Sequence, residues 1–179
     1  MRAILTILIF SNFLLPQSFG QNKVQYDSFD WEYIVSPNTN VYYYGDNEEL
    51  AIFTSKVAER SIEQIGKHLR WRSNKPIKII VYTSHNDFQQ TNVVNVYMSE
   101  GVGGVTELYK NRIVIPFEGS YDQFEHVIHH ELVHAAINEL VYGGNAQGLI
   151  SGRIRVQVPL WANEGLAEFL SVDWDTNSD

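Results

Sequence analysis

The sequence predicts an α+β fold in a single domain that follows a short N-terminal leader. With 179 residues, 44% of them hydrophobic and 19% charged, the chain has the length and composition of one globular domain. Short segments rich in aromatic and β-branched residues predict strands, whereas longer segments with apolar residues at helical spacing predict helices. Because both kinds of segment recur along the chain, the predicted class is α+β rather than all-α or all-β.

Residues 1–20 have the three-part layout of a secretory signal peptide. A positively charged start leads into a mostly apolar run at 3–15, and the small residues Ser18 and Gly20 precede the predicted cut. A membrane span needs about 20 apolar residues, which the run at 3–15 does not reach, and no other stretch of the sequence is long enough. We therefore expect export to the periplasm or the extracellular space, no membrane span after cleavage, and a mature domain of residues 21–179.

The N-terminal half of the domain is predicted to contain three strands and one long helix. A cluster of turn-forming residues at Ser36-Pro37-Asn38 joins the first two strands. The helix is amphipathic, and Asp46 or Asn47 is its candidate N-cap. A short helical or loop crossing at 84–90 follows the third strand. The predicted ranges are 26–35, 40–44 and 76–83 for the strands and 48–70 for the helix.

The C-terminal half is predicted to contain a hairpin and two further helices. Glycines at 101, 103 and 104 mark an irregular segment that leads into the hairpin. The first of the two helices is apolar nearly all round, so we expect it to be deeply buried. A loop at 143–152 leads to Pro159, which opens the last helix. The predicted ranges are 106–109 and 112–116 for the strands, 121–142 and 159–170 for the helices, and 173–179 for a polar tail.

Charge and cysteine content exclude several classes of function. The 21 acidic residues outnumber the 13 basic ones and give a formal charge of −8, which disfavours a nucleic-acid partner because phosphate binding needs clustered cations. The lack of cysteine excludes disulfide scaffolds, thiolate metal sites and cysteine nucleophiles. Any metal must therefore be held by His, Asp or Glu side chains, and six histidines are available.

An HExxH motif lies in the middle of the helix predicted at 121–142. His130 and His134 are four residues apart and so share one helix face, where both imidazoles can bind one metal ion. Glu131 can reach a water on that ion without ligating it. Two histidines and a glutamate are costly to bury in an apolar helix without a partner, which favours a metal over a structural polar cluster. His126, one turn earlier, is an alternative ligand or a groove histidine.

The last predicted helix offers a third metal ligand. Catalytic zinc usually takes three protein ligands and keeps one position open. Glu164 and Glu168 lie on one face of this otherwise apolar helix, so Glu164 can complete a His₂Glu site. Glu168, one turn further on, can accept a hydrogen bond from the far nitrogen of a ligand histidine and fix its tautomer. The alternative for either carboxylate is a solvent-facing charge.

The motifs HHELVH at 129–134 and PLWANEGLAEF at 159–169 together resemble the gluzincin metallopeptidases, most closely their bacterial peptidase MA-like domains. The stretch at 100–116 also looks like the hairpin before the active-site helix of that group. The resemblance implies a zincin-like fold, with a small mixed sheet whose edge strand lies beside the buried HExxH helix and a second ligand-bearing helix. Secreted relatives often carry a β-propeller after this domain, so a C-terminal propeller is an implied partner in a longer protein.

The resemblance also implies the role of each motif residue. His130, His134 and Glu164 would bind one Zn²⁺ ion, and Glu131 would be the general base that takes a proton from an activated water and passes it to the leaving amine. The implied activity is hydrolysis of peptide bonds in a peptide or protein substrate.

Further residues have supporting roles by the same likeness. Glu168 would hold one ligand histidine from behind, and Asn163 would support the other. The segment Gly103-Gly104-Val105-Thr106 would be the sheet edge that pairs with an extended substrate through main-chain hydrogen bonds.

The residue that stabilises the oxyanion departs from the family's pattern. Gluzincins usually supply a Tyr or His well downstream of the third ligand, whereas only fifteen residues follow Glu164 here. We therefore expect a domain truncated at its C-terminus, without its C-terminal subdomain, or a substitute such as Tyr109 or Tyr142, or a weak site. Two other functions stay open: a peptide- or protein-binding module that retains the zinc site, and a metal-dependent hydrolase of non-peptide substrates.

Overall fold

The structure, a computed structural model, describes residues 23–94, 101–108, 110–143 and 158–176, with side chains to Ser171 in the last range. The predicted signal peptide, Tyr109 and nearly all of the predicted loop at 143–152 lie outside the described residues. The described elements are β1 (Trp31–Val35), β2 (Thr39–Tyr44), α1 (Glu48–Leu69), β3 (Ile77–Tyr82), α2 (His85–Gln89), β4 (Val105–Glu107), β5 (Arg112–Pro116), α3 (Tyr121–Tyr142) and α4 (Leu160–Thr176).

The five described strands form one mixed sheet in the order β1-β2-β3-β5-β4. The three central strands are parallel, whereas β1 and β4 run antiparallel to their neighbours at the two edges. The predicted α+β class is therefore confirmed. Although β4 precedes β5 in the chain, it lies beyond β5 in the sheet, which makes the hairpin strand an edge strand.

Two layers of side chains cover the sheet. The main core lies between one face of the sheet and helices α1 and α3, which pack against each other, while α4 packs against α3. On the opposite face, Phe88 of α2 packs with Tyr82 and Val114, and partly buried Phe29 and Tyr44 adjoin them. Burial on both faces explains why β3 reads as a nearly continuous apolar run rather than an alternating one.

Helix α3 has the predicted bounds, and its ends explain why. Ser120 precedes the helix and accepts a hydrogen bond from the Gln123 backbone N–H at 3.4 Å, which is an N-cap. Gly143 ends it in the left-handed conformation at φ 60°. Residues 128–137, except His130, are buried, so the prediction of a deeply buried helix is correct for its central turns.

A side-chain contact ties the β4–β5 hairpin to the middle of this helix. Asn111, in the turn between the strands, adopts a positive φ of 49°, which asparagine tolerates better than most residues. Its amide Nδ2 donates a hydrogen bond to the Ala135 carbonyl at 3.3 Å. This contact helps to hold the edge strand beside α3.

Two predicted boundaries are wrong. Strand β1 begins at Trp31 rather than Tyr26, because the backbone N–H groups of Tyr26 and Asp27 donate to Gln90 Oε1 at 2.7 and 3.0 Å instead of to a strand. Helix α4 continues to Thr176 rather than ending near residue 170. No Gly or Pro follows Gly165 in this helix, and polar residues alone do not end a helix.

The remaining boundaries agree with prediction to within one or two residues. Asn47, one of the two candidate caps, holds the N-cap position of α1, but its side chain donates to the Tyr44 carbonyl at 2.7 Å rather than capping the helix. Within the described residues, no helix is both long and apolar enough to cross a membrane.

Candidate metal centre

The two histidines of the HExxH motif meet on the cleft side of α3. His130 Nε2 lies 3.1 Å from His134 Nε2, so the four-residue spacing brings both rings to one point. Neighbouring Leu132, Val133 and Ala135 are fully buried on the other sides of the helix, which fixes its rotation. The ligand face of α3 is therefore set by core packing.

Glu164 of α4 completes a three-residue group. Its Oε2 atom lies 3.4 Å from His130 Nε2 and 3.4 Å from His134 Nε2. Packing between α3 and α4 brings this carboxylate to the histidines, although thirty residues separate it from His134 in the chain. The structure thus brings together all three residues that the sequence predicts as metal ligands.

The geometry of this group fits one tetrahedral ion. Two ligand atoms bound to zinc at about 2.0–2.1 Å lie about 3.3–3.4 Å apart when the angle between them is tetrahedral. The three observed separations of 3.1, 3.4 and 3.4 Å match this spacing. Three ligand atoms leave one position of a tetrahedron for a water or a substrate, which is the pattern of catalytic rather than structural sites. His130, His134 and Glu164 can therefore hold a metal ion.

The charge state of His130 suits metal binding. Burial lowers the pKa of His130, the nearby His134 lowers it further, and Glu164 and Glu168 partly oppose both effects. A lowered pKa favours the neutral imidazole, which is the form that binds metals.

Glu131 is buried beside the three predicted metal ligands, and its carboxylate contacts Thr106 of the edge strand. Its side chain is only 6% exposed, and Thr106 Oγ1 lies 2.5 Å from Glu131 Oε2 and 2.9 Å from the Glu131 backbone carbonyl. Burial raises the pKa of Glu131, while the Thr106 hydrogen bond lowers it. A carboxylate whose pKa lies above its usual value is a stronger base, so Glu131 can accept a proton in this cleft.

Glu168 lies on the Nδ1 side of His130 and equally close to a second histidine. Its Oε2 atom is 3.7 Å from His130 Nδ1 and 3.7 Å from His126 Nε2. Both distances exceed a direct hydrogen bond. The contact with His126 was not predicted, although the four-residue spacing between His126 and His130 is a signal for it.

Asn163 lines the same cleft without the contact that the resemblance implies. Its Oδ1 atom and His134 Nδ1 are both buried, and neither has a hydrogen-bond partner among the described residues. The support of His134 by Asn163 therefore stays a prediction.

The predicted substrate edge borders a cleft of about 820 Å³. Val105 and Thr106 belong to β4, whose described strand neighbour is β5, and Gly103 and Gly104 lie just before it. A Cβ atom on Gly104 would lie 2.8 Å from Ile115 Cγ2 and 3.0 Å from Glu131 Oε1. This close approach explains why position 104 is a glycine. The sequence alone indicates only that the glycine belongs to an irregular segment.

The other residues of interest lie at the margins of the cleft or away from it. Tyr142 lines the cleft, and its hydroxyl accepts a hydrogen bond from the Val158 backbone N–H at 3.3 Å. Tyr109, the other candidate for oxyanion binding, lies outside the described residues. His129, next to the predicted ligand His130 in the chain, is buried. Burial, with a smaller effect of His126, His68 and His130, lowers the pKa of His129 to about 4.

Comparison with known proteins does not place the chain in a family. No family model matches the chain, and no curated protein matches it.

Proposed function

We propose that the chain is an exported zinc-dependent metallopeptidase, in which His130, His134 and Glu164 hold the ion and Glu131 is the general base. The observation that carries the proposal is the triangle of ligand atoms, with sides of 3.1, 3.4 and 3.4 Å, beside a buried carboxylate. A structural metal site would need no Glu131 next to it. The leader at 1–20 supports export, and the resemblance to gluzincins supports zinc and peptide hydrolysis.

Two residues prepare Glu131 for proton transfer. Zinc, when bound, supplies a Lewis acid that makes a water acidic near neutral pH and polarises a carbonyl. The Thr106 hydroxyl donates a hydrogen bond to Glu131 Oε2 at 2.5 Å, so Oε1 is the oxygen that takes up a proton. Gly104, which has no side chain, leaves space beside Oε1. Glu131 then delivers this proton to the amine that leaves when the peptide bond breaks.

The edge strand supports an extended peptide as substrate. Strand β4 forms one edge of the described sheet, and Val105 and Thr106 line the cleft. An extended chain can add to such an edge through backbone hydrogen bonds, which bind peptides with little regard to their sequence. A hydrolase of non-peptide substrates would have no use for this edge.

Substitution of Glu131 by Gln tests the proposal. We expect Glu131→Gln to bind one zinc per chain by elemental analysis and to lose about 10²–10⁴-fold in chelator-sensitive hydrolysis of a quenched peptide library. Glu125→Gln is the matched control, because Glu125 lies on the same helix but pairs with Arg60 at 3.0 Å. Normal turnover by Glu131→Gln would contradict its role as base.

A peptide-binding module with little or no catalysis is the second candidate. The described residues that line the cleft include no Lys or Arg, and the hydroxyl of Tyr142, the candidate oxyanion residue among them, is bonded to the Val158 backbone N–H. This candidate predicts zinc-dependent peptide binding without cleavage. Glu131→Gln would then bind peptides as the natural chain does, and neither protein would hydrolyse them.

A further inference from the structure

A second group of metal-binding atoms lies on the far side of His130. His126 Nε2, His130 Nδ1 and Glu168 Oε2 all lie within 4.8 Å of one another, and Glu168 Oε2 is 3.7 Å from each of the two nitrogens. The first group uses the other nitrogen of His130, Nε2, together with Glu164 rather than Glu168. The two groups therefore share the His130 ring, but they use different nitrogens of it and have no other residue in common.

We propose that His126, Glu168 and the Nδ1 atom of His130 form a second, weaker site for a divalent cation, and that an ion bound there competes with the first site for His130. The inference rests on the proposed function, because the first site is the proposed zinc centre. Two nitrogens and one carboxylate oxygen suit zinc, cobalt or nickel better than calcium or magnesium, which prefer oxygen alone.

The geometry explains why this site is the weaker one. Its two 3.7 Å separations are longer than the spacing of about 3.3–3.4 Å that a tetrahedral zinc site requires, so the ligands must move together when an ion binds. The side chains of Glu168 and His126 are 59% and 30% exposed, which allows this movement and gives an ion access from solvent. Each site contains one exposed carboxylate, but the histidine that completes the first site, His134, is only 10% exposed, whereas His126 is 30% exposed, so more side-chain ordering accompanies binding at the second site.

Competition follows from the chemistry of the shared ring. A neutral imidazole has one nitrogen lone pair, and its other nitrogen carries the proton. When Nε2 of His130 binds an ion, the proton is on Nδ1 and can face Glu168. When Nδ1 binds an ion, the proton must be on Nε2, and the first site loses a ligand. A second ion therefore weakens the first site instead of adding to it.

The charge of the cleft favours this second binding event. The described residues that line it include the carboxylates of Glu131, Glu164 and Glu168 and no Lys or Arg. Such an acidic cleft concentrates divalent cations near its entrance. We therefore expect metal in excess of one equivalent to inhibit the protein.

Metal titration of three proteins tests the inference. The metal-free natural chain, His126→Gln and His68→Gln would each be titrated with Co²⁺ by calorimetry and by visible absorption, and with Zn²⁺ in the hydrolysis assay. His68 is an exposed histidine of α1, so His68→Gln controls for loss of any surface imidazole. We expect the natural chain and His68→Gln to show one tight event and a second at least tenfold weaker. The second event should reduce the absorption of the first cobalt ion.

His126→Gln distinguishes the possible outcomes. It should keep the tight event and activity at one equivalent, lose the weaker event, and require at least tenfold more zinc for inhibition. An unchanged weaker event in His126→Gln, or a single event in the natural chain, would overturn the inference and leave the proposed function intact. If the tight event occurs without hydrolysis, the proposed peptidase activity fails, and the cobalt titration still decides whether the second site exists.

Discussion

The Thr106 hydroxyl contacts the Glu131 carboxylate at 2.5 Å and the Glu131 backbone carbonyl at 2.9 Å. Thr106 is in the edge strand β4, and Glu131 is in α3, so one side chain connects the predicted substrate edge to the proposed base. The two elements therefore have a fixed position relative to each other. A shift of the edge strand would also change the environment of the Glu131 carboxylate.

Replacing this hydroxyl should change both the rate and its pH dependence. Thr106→Val keeps the shape of the side chain but removes a hydrogen bond that lowers the pKa of Glu131. Glu131 must be ionised to accept a proton, so a higher pKa moves the acidic limb of the kcat/KM profile to higher pH. A hydrogen bond to a charged group contributes about 1.5–3 kcal/mol, so we expect kcat/KM to fall about 10- to 100-fold on the acidic limb of the profile.

Thr106→Ser is the matched control for this change, because it retains the hydroxyl. Its kcat/KM and its acidic limb should stay close to those of the natural chain. An identical acidic limb in Thr106→Val would show that the contact does not influence the base.

The two glutamates of α4 should differ in their effects on metal affinity. Glu164 Oε2 is 3.4 Å from both ligand nitrogens, whereas Glu168 faces the far side of His130 at 3.7 Å. Loss of a residue that supports a ligand typically weakens metal binding about 10–100-fold, and loss of a ligand weakens it more. We expect Glu168→Gln to lie in that range and Glu164→Ala to bind zinc more weakly still, as measured by competition with a chromophoric chelator. The reverse order would contradict the assignment of Glu164 as the third ligand.

The sequence predicts the parts of this site that depend on spacing within one element. His130 and His134 could be assigned to one helix face from their four-residue separation, and α3 has the predicted bounds because Ser120 and Gly143 cap it. Glu164 could be named from the sequence only as a candidate third ligand, with a solvent-facing charge as the alternative, since its approach to the histidines depends on how α4 packs against α3.

The contacts between elements could not be predicted in this way. The bond from Thr106 to Glu131 exists because β4 lies beyond β5 in the sheet, and chain order does not fix sheet order. The contact of Glu168 with His126 likewise depends on the packing of two helices. Where aromatic and β-branched composition was misleading, as at Tyr26, the backbone N–H donates to a distant side chain, Gln90, instead of to a strand.

The close approach at Gly104 should make this position sensitive to the smallest substitution. A methyl group there would lie 2.8 Å from Ile115 Cγ2 and 3.0 Å from Glu131 Oε1, and Ile115 is fully buried and cannot move aside freely. Overpacking of this kind costs about 1–3 kcal/mol. We expect Gly104→Ala to lower the free energy of unfolding by that amount in urea titrations and to reduce hydrolysis by displacing Glu131.

Gly101→Ala is the control for this substitution. A Cβ atom at Gly101 meets no atom within 4 Å in the described structure, so stability and activity should both be retained. Equal effects of the two substitutions would mean that they act through the backbone of the segment and not through Glu131.

A carboxylate far from the cleft should control the stability of the fold in acid. Glu59 of α1 holds the β1–β2 turn, because its Oε1 accepts from Ser36 Oγ at 2.6 Å and from the Asn38 backbone N–H at 2.9 Å, and its Oε2 accepts from Asn38 Nδ2 at 2.7 Å. Burial raises the pKa of Glu59, but these hydrogen bonds outweigh it and hold the pKa below its usual value. The natural chain therefore gains stability from ionised Glu59 above about pH 4.5.

Acid should remove this contribution of Glu59 in a defined direction. Because the pKa is lower in the folded state, the stabilisation is lost as pH falls from the unfolded value through the folded one. Glu59→Gln should be less stable at pH 7 by about 1–2 kcal/mol and should lose less stability than the natural chain between pH 5 and pH 3 in urea titrations. Glu63→Gln, one turn further along α1, is the control: Glu63 pairs with Lys67 on the exposed surface, where such pairs contribute little, so this variant should lose much less acid sensitivity than Glu59→Gln. If Glu59→Gln and the natural chain lost stability in parallel below pH 5, the turn would not depend on the charge of Glu59.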